Sequence, residues 1–288
     1  NGTYQAATGQ SSCDDASAGY YVPTTGQSSQ TACSTGTYQN ATGQSSCYIA
    51  SAGYYVGQTG QSSQTACSTG TYNPNNGSTS SAACISASAG YYVGQTGQSS
   101  QTACSIGTYN PNNGSTSSAA CISASAGYYV GQTGQSSQTA CSTGTYQNTT
   151  GQASCYNASP GYYVEQTGQS SQTACLIGTY NPNTGSSSLS DCVGADAGYY
   201  VPTTAQSSQT ACSIGTYQAA IGQSSCDDAS PGYYVPTTAQ SSQTACSIGT
   251  YQATTGQSSC DVASAGYYVG QTGQSSQTAC SIGTYQAT

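Results

Sequence analysis

Sixteen cysteines are the residues of this 288-residue chain whose type and spacing could do chemistry. They stand at 13, 33, 47, 67, 84, 104, 121, 141, 155, 175, 192, 212, 226, 246, 260 and 280. Successive gaps are 20, 14, 20, 17, 20, 17, 20, 14, 20, 17, 20, 14, 20, 14 and 20 residues. Structural zinc would need close Cys-x-x-Cys pairs, and the gaps contain none. The remaining chemistry is a disulfide framework formed in an oxidising setting. Catalysis has little to work with: there is no His and no Lys, so a general base or an activated nucleophile is hard to assemble. Asp14-Asp15 and Asp227-Asp228 are the only acidic pairs, and they read as solvated linker residues after a loop cysteine. Other units place Tyr48-Ile49 or Ile122-Ser123 there, whereas a calcium repeat would keep its carboxylates in register. We therefore expect no enzyme, no metal and no cofactor beyond covalent glycans.

Carbohydrate attachment is the one other chemical signature. Asn-x-Ser/Thr occurs at Asn1, Asn40, Asn76, Asn113, Asn148 and Asn157. Asn40 and Asn148 share one loop position and Asn76 and Asn113 another, both at a turn expected to be exposed. Ser and Thr offer abundant O-linked sites as well.

The elements that hold these residues must form without an ordinary core. Phe, Trp and Met are absent, and Tyr, at 27 copies, is the only aromatic residue. A Tyr brings a hydroxyl that wants a partner when it is buried. No Lys or Arg accompanies the 8 acidic residues, so there is no basic patch for phosphate. Nucleic acid and anionic lipid are thereby excluded as electrostatic partners. No run approaches the ~20 apolar residues of a membrane helix.

Gly recurs at 2, 19, 36, 53, 70, 90, 107, 127, 144, 161, 178, 198, 215, 232, 249, 266 and 283, each time with a Tyr two positions on. A second turn residue follows that Tyr by five, Gly in most units but Ala205 and Ala239 in two. The two alanines suggest that this turn does not require positive φ. A period of 34 or 37 residues would suit helical repeats, but the Thr, Val, Ser and Gln around each Gly-Tyr cannot sustain several helical turns. The expected fold is all-β or irregular and disulfide-rich: an elongated linear array of hairpin-like half-units of 17–20 residues. Each would run a strand through Thr-Tyr or Tyr-Tyr-Val, a turn, and a return strand through Ser-Ser. Residues 1–288 read as a single repeat array that starts and ends inside a half-unit, as a segment of a longer chain would.

Half-units alternate between two kinds. Cys33 and Cys47 bound one kind, and Ala50 and Gln64 hold the same two positions in the next. Both cysteines are present or both are missing, as pairing within a half-unit would require. The pairs would be Cys33–Cys47, Cys67–Cys84, Cys104–Cys121, Cys141–Cys155, Cys175–Cys192, Cys212–Cys226 and Cys246–Cys260. Three-residue insertions fall inside these loops and leave the 20-residue gaps undisturbed, which favours this pairing. The rival joins Cys13 to Cys33, Cys47 to Cys67 and onward, and uses all sixteen. On the first pairing Cys13 and Cys280 would find partners outside this segment. In the unstapled half-units the extra Tyr (Tyr20, Tyr54, Tyr91) is the expected substitute for the disulfide.

The stapled unit, Cys33-Ser34-Thr35-Gly36-Thr37-Tyr38 through Gly43-Gln44-Ser45-Ser46-Cys47, resembles the ephrin-receptor-like cysteine repeats. It resembles more distantly the first submodule of tumour necrosis factor receptor cysteine-rich domains. In that family each Gly-Thr-Tyr loop closes on itself, and adjacent loops meet at Cys-x-x-Cys. Here Cys47-Tyr48-Ile49-Ala50 keeps the first cysteine of that junction and Gln64-Thr65-Ala66-Cys67 the second. The resemblance implies the Cys33–Cys47 type of pairing and an extracellular, elongated, β-rich stalk. It departs from the family in the unstapled half-units and in the lack of Lys and Arg. The functional expectation is an extracellular structural glycoprotein that forms a rod or filament, with further repeats or copies of itself as partners. The alternative is the stalk of a cell-surface receptor or adhesin whose binding domain lies elsewhere.

Overall fold

The computed structural model describes residues 1–283; Tyr285, the tyrosine of the last Gly-Tyr pair, lies outside them. Strands form where β-branched and aromatic residues meet, each two residues long: Thr37–Tyr38, Tyr54–Tyr55, Thr71–Tyr72 and their counterparts. They pair two by two as antiparallel hairpins, Thr37 opposite Ile49 and Tyr38 opposite Tyr48, then Tyr54 opposite Ala66 and Tyr55 opposite Thr65. The return strand is therefore not Ser-Ser. It lies just past the second cysteine or its Gln counterpart, as in Tyr48–Ile49 and Thr65–Ala66. Residues 39–47 make too wide a loop for a tight hairpin, so Ser45 and Ser46 remain in a bend and pairing begins where the loop closes. Asp14–Asp15 and Asp227–Asp228, expected in linkers, are return strands with exposed side chains, Thr3 facing Asp15 and Tyr217 facing Asp227. The longer loops take up their extra residues in short 3-10 turns, Ser81–Ala83, Ser118–Ala120 and Leu189–Asp191.

Two compact units divide the chain: residues Asn1–Thr139 with Thr149–Ser154, and residues Ala140–Asn148 with Cys155 onward. The same rules operate inside each. Every half-unit passes backbone hydrogen bonds to the next. The Gly53 N–H donates to the Asn73 carbonyl at 2.7 Å, and the Val56 N–H to the Ser78 carbonyl at 2.9 Å. In the second unit the Gly178 N–H donates to the Val201 carbonyl at 3.0 Å. Half-units also touch the next but one. A Cβ added to Gly36 would run into the Gly77 carbonyl oxygen, and one added to Gly77 would meet Ile49 at 3.4 Å. The Tyr54 ring leans over Gly97, where an added Cβ would lie 2.7 Å from its hydroxyl. Within a unit, stapled half-units thus pack on stapled ones and unstapled on unstapled, in two files joined by the backbone ladder.

The turn residue has a conformational demand that the alanines conceal. Ala205 and Ala239 adopt φ of 63° and 60°, the left-handed region that the glycines at this position occupy. Positive φ is required here after all, because it aims the turn N–H at a carbonyl in the preceding packing layer: the Ala205 N–H donates to the Cys175 carbonyl at 3.0 Å. The hydrogen bond and the surrounding packing carry the strain of a residue with a Cβ.

Small side chains fill the interior between the files. Ala50 and Val56 come from an unstapled half-unit, Cys33 and Gln39 from a stapled one, all 0–1% exposed. The buried position after Gly-Thr-Tyr is Gln39, Gln147, Gln218 or Gln252 where the cysteines are 14 apart, and Asn73, Asn110 or Asn181 where they are 17 apart. Loop length explains the choice. Gln39 Nε2 spans the short loop to the Ser46 carbonyl at 2.7 Å, while its Oε1 accepts from the Ala41 N–H at 3.0 Å. In the longer loop Ser78 Oγ comes closer, and the shorter Asn73 amide reaches it at 2.9 Å. Asn73 Nδ2 also donates to the Tyr54 carbonyl at 2.9 Å and Oδ1 accepts from the Asn75 N–H at 3.1 Å. Among the described residues no buried side-chain nitrogen or oxygen lacks a partner. Asn73→Ala leaves the Asn75 N–H and the Tyr54 carbonyl short of a partner, so it should lower stability by about 2 kcal/mol in chemical denaturation.

Candidate functional site

The cysteines make seven disulfides, each across a loop of 14 or 17 residues: Cys33–Cys47, Cys67–Cys84, Cys104–Cys121, Cys141–Cys155, Cys175–Cys192, Cys212–Cys226 and Cys246–Cys260. Their Cα–Cα separations of 5.6–5.9 Å are ordinary for the bond. The first cysteine of each pair is buried in the interior, with its N–H and carbonyl in the ladder. For Cys33 these are the bonds to the Gly19 carbonyl at 2.9 Å and from the Gly60 N–H at 2.8 Å. The staple therefore ties the surface end of each loop to the buried backbone that joins neighbouring half-units. Cys13 and Cys280 have no disulfide partner among the described residues.

The unstapled half-units are closed by a hydrogen bond at the same place. Gln64, at the second cysteine position, turns its Oε1 to the N–H of Ser51, the residue after Ala50, at 2.7 Å. Gln30 does this to Ser17, Gln101 to Ser88, Gln172 to Ser159, Gln209 to Asp196, Gln243 to Ser230 and Gln277 to Ser264, all at 2.6–2.7 Å. The substitute for the disulfide is this glutamine. The extra Tyr packs instead against the turn of the next half-unit in its own file. The signal was present in the sequence, since Gln alone occupies the position in unit after unit, but composition hides it in a Gln-rich chain.

This equivalence makes a direct prediction. Ala87→Cys with Gln101→Cys should form an eighth disulfide, seen as a linked peptide in non-reducing mass spectrometry. Gln101→Ala alone should cost about 1 kcal/mol, the worth of one hydrogen bond.

All six candidate glycosylation asparagines, Asn1, Asn40, Asn76, Asn113, Asn148 and Asn157, are exposed. Asn76 and Asn113 use Oδ1 to accept from the N–H groups of Ala52 and Ala89 at 2.7 Å, which holds the turn in place. Among the described residues, no group of three or more Asp, Glu, Cys or His side chains could hold a metal ion, and no helix is long and apolar enough to cross a membrane. No protein-family model matches the chain, and no curated protein matches it.

Proposed function

We propose that this chain is an extracellular structural glycoprotein whose repeats build a rod or filament. The open-ended ladder carries this reading. Each half-unit satisfies its backbone and its buried side chains against the next and the next but one, so further repeats can be added without a new kind of contact. The disulfides favour an oxidising compartment outside the cell. The exposed sequon asparagines supply places for N-linked glycans, which would hydrate a surface that has few charges. Exposed aliphatic residues of the stapled file, such as Ile49, Ile85 and Ile122, favour association with copies of the chain. The likeness of the stapled loop to ephrin-receptor-like repeats agrees with an extracellular stalk. The absence of His and Lys argues against enzymatic activity.

Negative-stain electron microscopy of the purified chain tests the reading. Long, uniform particles that lengthen when repeats are added would support it; compact or freely flexible particles would overturn it.

A further inference from the structure

The unstapled half-units fall into two main sorts that the fibre reading does not use, with Glu165-Gln166-Thr167 a single departure from both. After the buried Val, one sort continues Pro-Thr-Thr, as at Pro23, Pro202 and Pro236, and the other Gly-Gln-Thr, as at Gly57, Gly94 and Gly131. In the Pro sort the Gln after the turn is occupied locally: Gln27 Nε2 donates to Thr24 Oγ1 at 2.9 Å, Gln206 to Thr203 at 2.8 Å and Gln240 to Thr237 at 2.9 Å. In the Gly sort Thr24 is replaced by Gln58, Gln95 or Gln132, and none of these amides, nor those of Gln61, Gln98 and Gln135, bonds to another of the described residues. They open instead onto a depression of about 390 Å³ beside Tyr55, with Ser63 and Thr65 on its rim. The same depression recurs beside Tyr92, also about 390 Å³, and beside Tyr129, about 330 Å³.

We propose that each Gly-Gln-Thr half-unit binds a residue of a neutral carbohydrate polymer, and that successive half-units bind successive stretches of it. A sugar ring presents an apolar face and a rim of hydroxyls. A half-buried Tyr offers a matching ring with a free hydroxyl, and two amides and several hydroxyls offer both donors and acceptors. The volume is that of a small-ligand site. The depressions at Tyr55, Tyr92 and Tyr129 contain no carboxylate, and the chain contains no cation, so neither a cationic nor an anionic ligand finds a counter-charge there. Sites repeated once per period favour a repeating ligand, whose later contacts form at high effective concentration.

Affinity electrophoresis of the full chain in native gels tests this, with soluble β-glucan, galactomannan, dextran or the polyanion alginate cast into the gel. Retardation by a neutral polymer and not by alginate is expected. The test variant carries Gly57→Pro, Gln58→Thr, Gly94→Pro, Gln95→Thr, Gly131→Pro, Gln132→Thr, Gly270→Pro and Gln271→Thr, which installs at all four Gly-Gln-Thr half-units a sequence the fold already accommodates at Pro23-Thr24. Its apparent affinity should fall at least tenfold while its thermal transition is unchanged. A second variant, Tyr55→Phe with Tyr92→Phe and Tyr129→Phe, keeps the rings and should bind more weakly through loss of the hydroxyls. Retardation equal before and after enzymatic deglycosylation identifies a separate polymer as the ligand; retardation gained on deglycosylation identifies the chain's own glycans as occupants of the same depressions. No retardation by any neutral polymer in either state, retardation by alginate alone, or wild-type retardation of both variants would overturn the proposal.

Discussion

Reduction of the seven disulfides is expected to abolish the cooperative thermal transition of this protein. Its interior is Ala, Val, Cys, Asn and Gln, and none of these brings the apolar surface that Leu, Ile or Phe would. Each staple closes a loop of 14 or 17 residues and, in the chain-entropy model, restricts the unfolded chain by about 3 kcal/mol. The staples also fasten loops to the buried cysteines whose backbone carries the ladder, so opening them frees both the loop and its anchor. Calorimetry with and without reductant, followed in parallel by tyrosine circular dichroism, reads the effect. A transition that persists within a few degrees after complete reduction would show that the ladder and the glutamine bonds suffice. A single pair removed as Cys104→Ala with Cys121→Ala should cost about 2–4 kcal/mol.

Gly90→Ala is expected to be the most damaging single substitution, at about 4 kcal/mol or more. Gly90 sits at φ 89°, and an added Cβ would lie 2.0 Å from the carbonyl oxygen of Gly134, the turn residue of the next half-unit in the same file. Gly134 is itself held by its N–H, which donates to the Cys104 carbonyl at 3.0 Å, so its carbonyl cannot step aside without disturbing that bond. Gly114→Ala supplies the control. Its φ is similar at 66°, yet an added Cβ meets nothing within 4 Å, so the cost should be only that of the left-handed conformation, about 1–2 kcal/mol. Ala205 and Ala239 show that the chain itself tolerates a Cβ at the turn position. Thermal denaturation of both variants separates steric exclusion from backbone preference. Equal losses in the two would mean that conformation alone decides, and that the close approach of Gly90 to Gly134 contributes nothing.

Cysteine arithmetic carried much of the architecture because it is a local matter. Paired presence or absence across 14 residues is readable wherever the chain is read, and so are the period, the half-units and the Thr-Tyr strands. The Ser-Ser return strand and the linker placement of Asp14-Asp15 failed for one reason. Antiparallel register depends on where a loop closes, and pairing begins just past the second cysteine or its Gln counterpart whether or not a disulfide is there. Gln64 was counted as the place where a cysteine is missing, yet its amide reaches Ser51 and closes the loop in the cysteine's stead. The match of Gln to short loops and Asn to long ones was visible in the letters, but it acquires meaning only when the amide is seen buried with partners at particular distances.

Sequence alone determined the repeat, the first strand of each hairpin, the two kinds of half-unit and the pairing of the cysteines. Those properties follow from residue type and spacing along the backbone. Tertiary structure decided which half-units touch, because contact with the next but one depends on the path the backbone takes between hairpins. It also decided which glycines are fixed. Gly90 faces a carbonyl oxygen of another half-unit in its file, whereas the turn has room for a methyl group at Gly114 and Ala205 but not at Gly97, where the Tyr54 hydroxyl stands over it. The cysteine-bounded loop is half of the design; the other half is a glutamine that does by hydrogen bonding what its neighbour does by covalent bond.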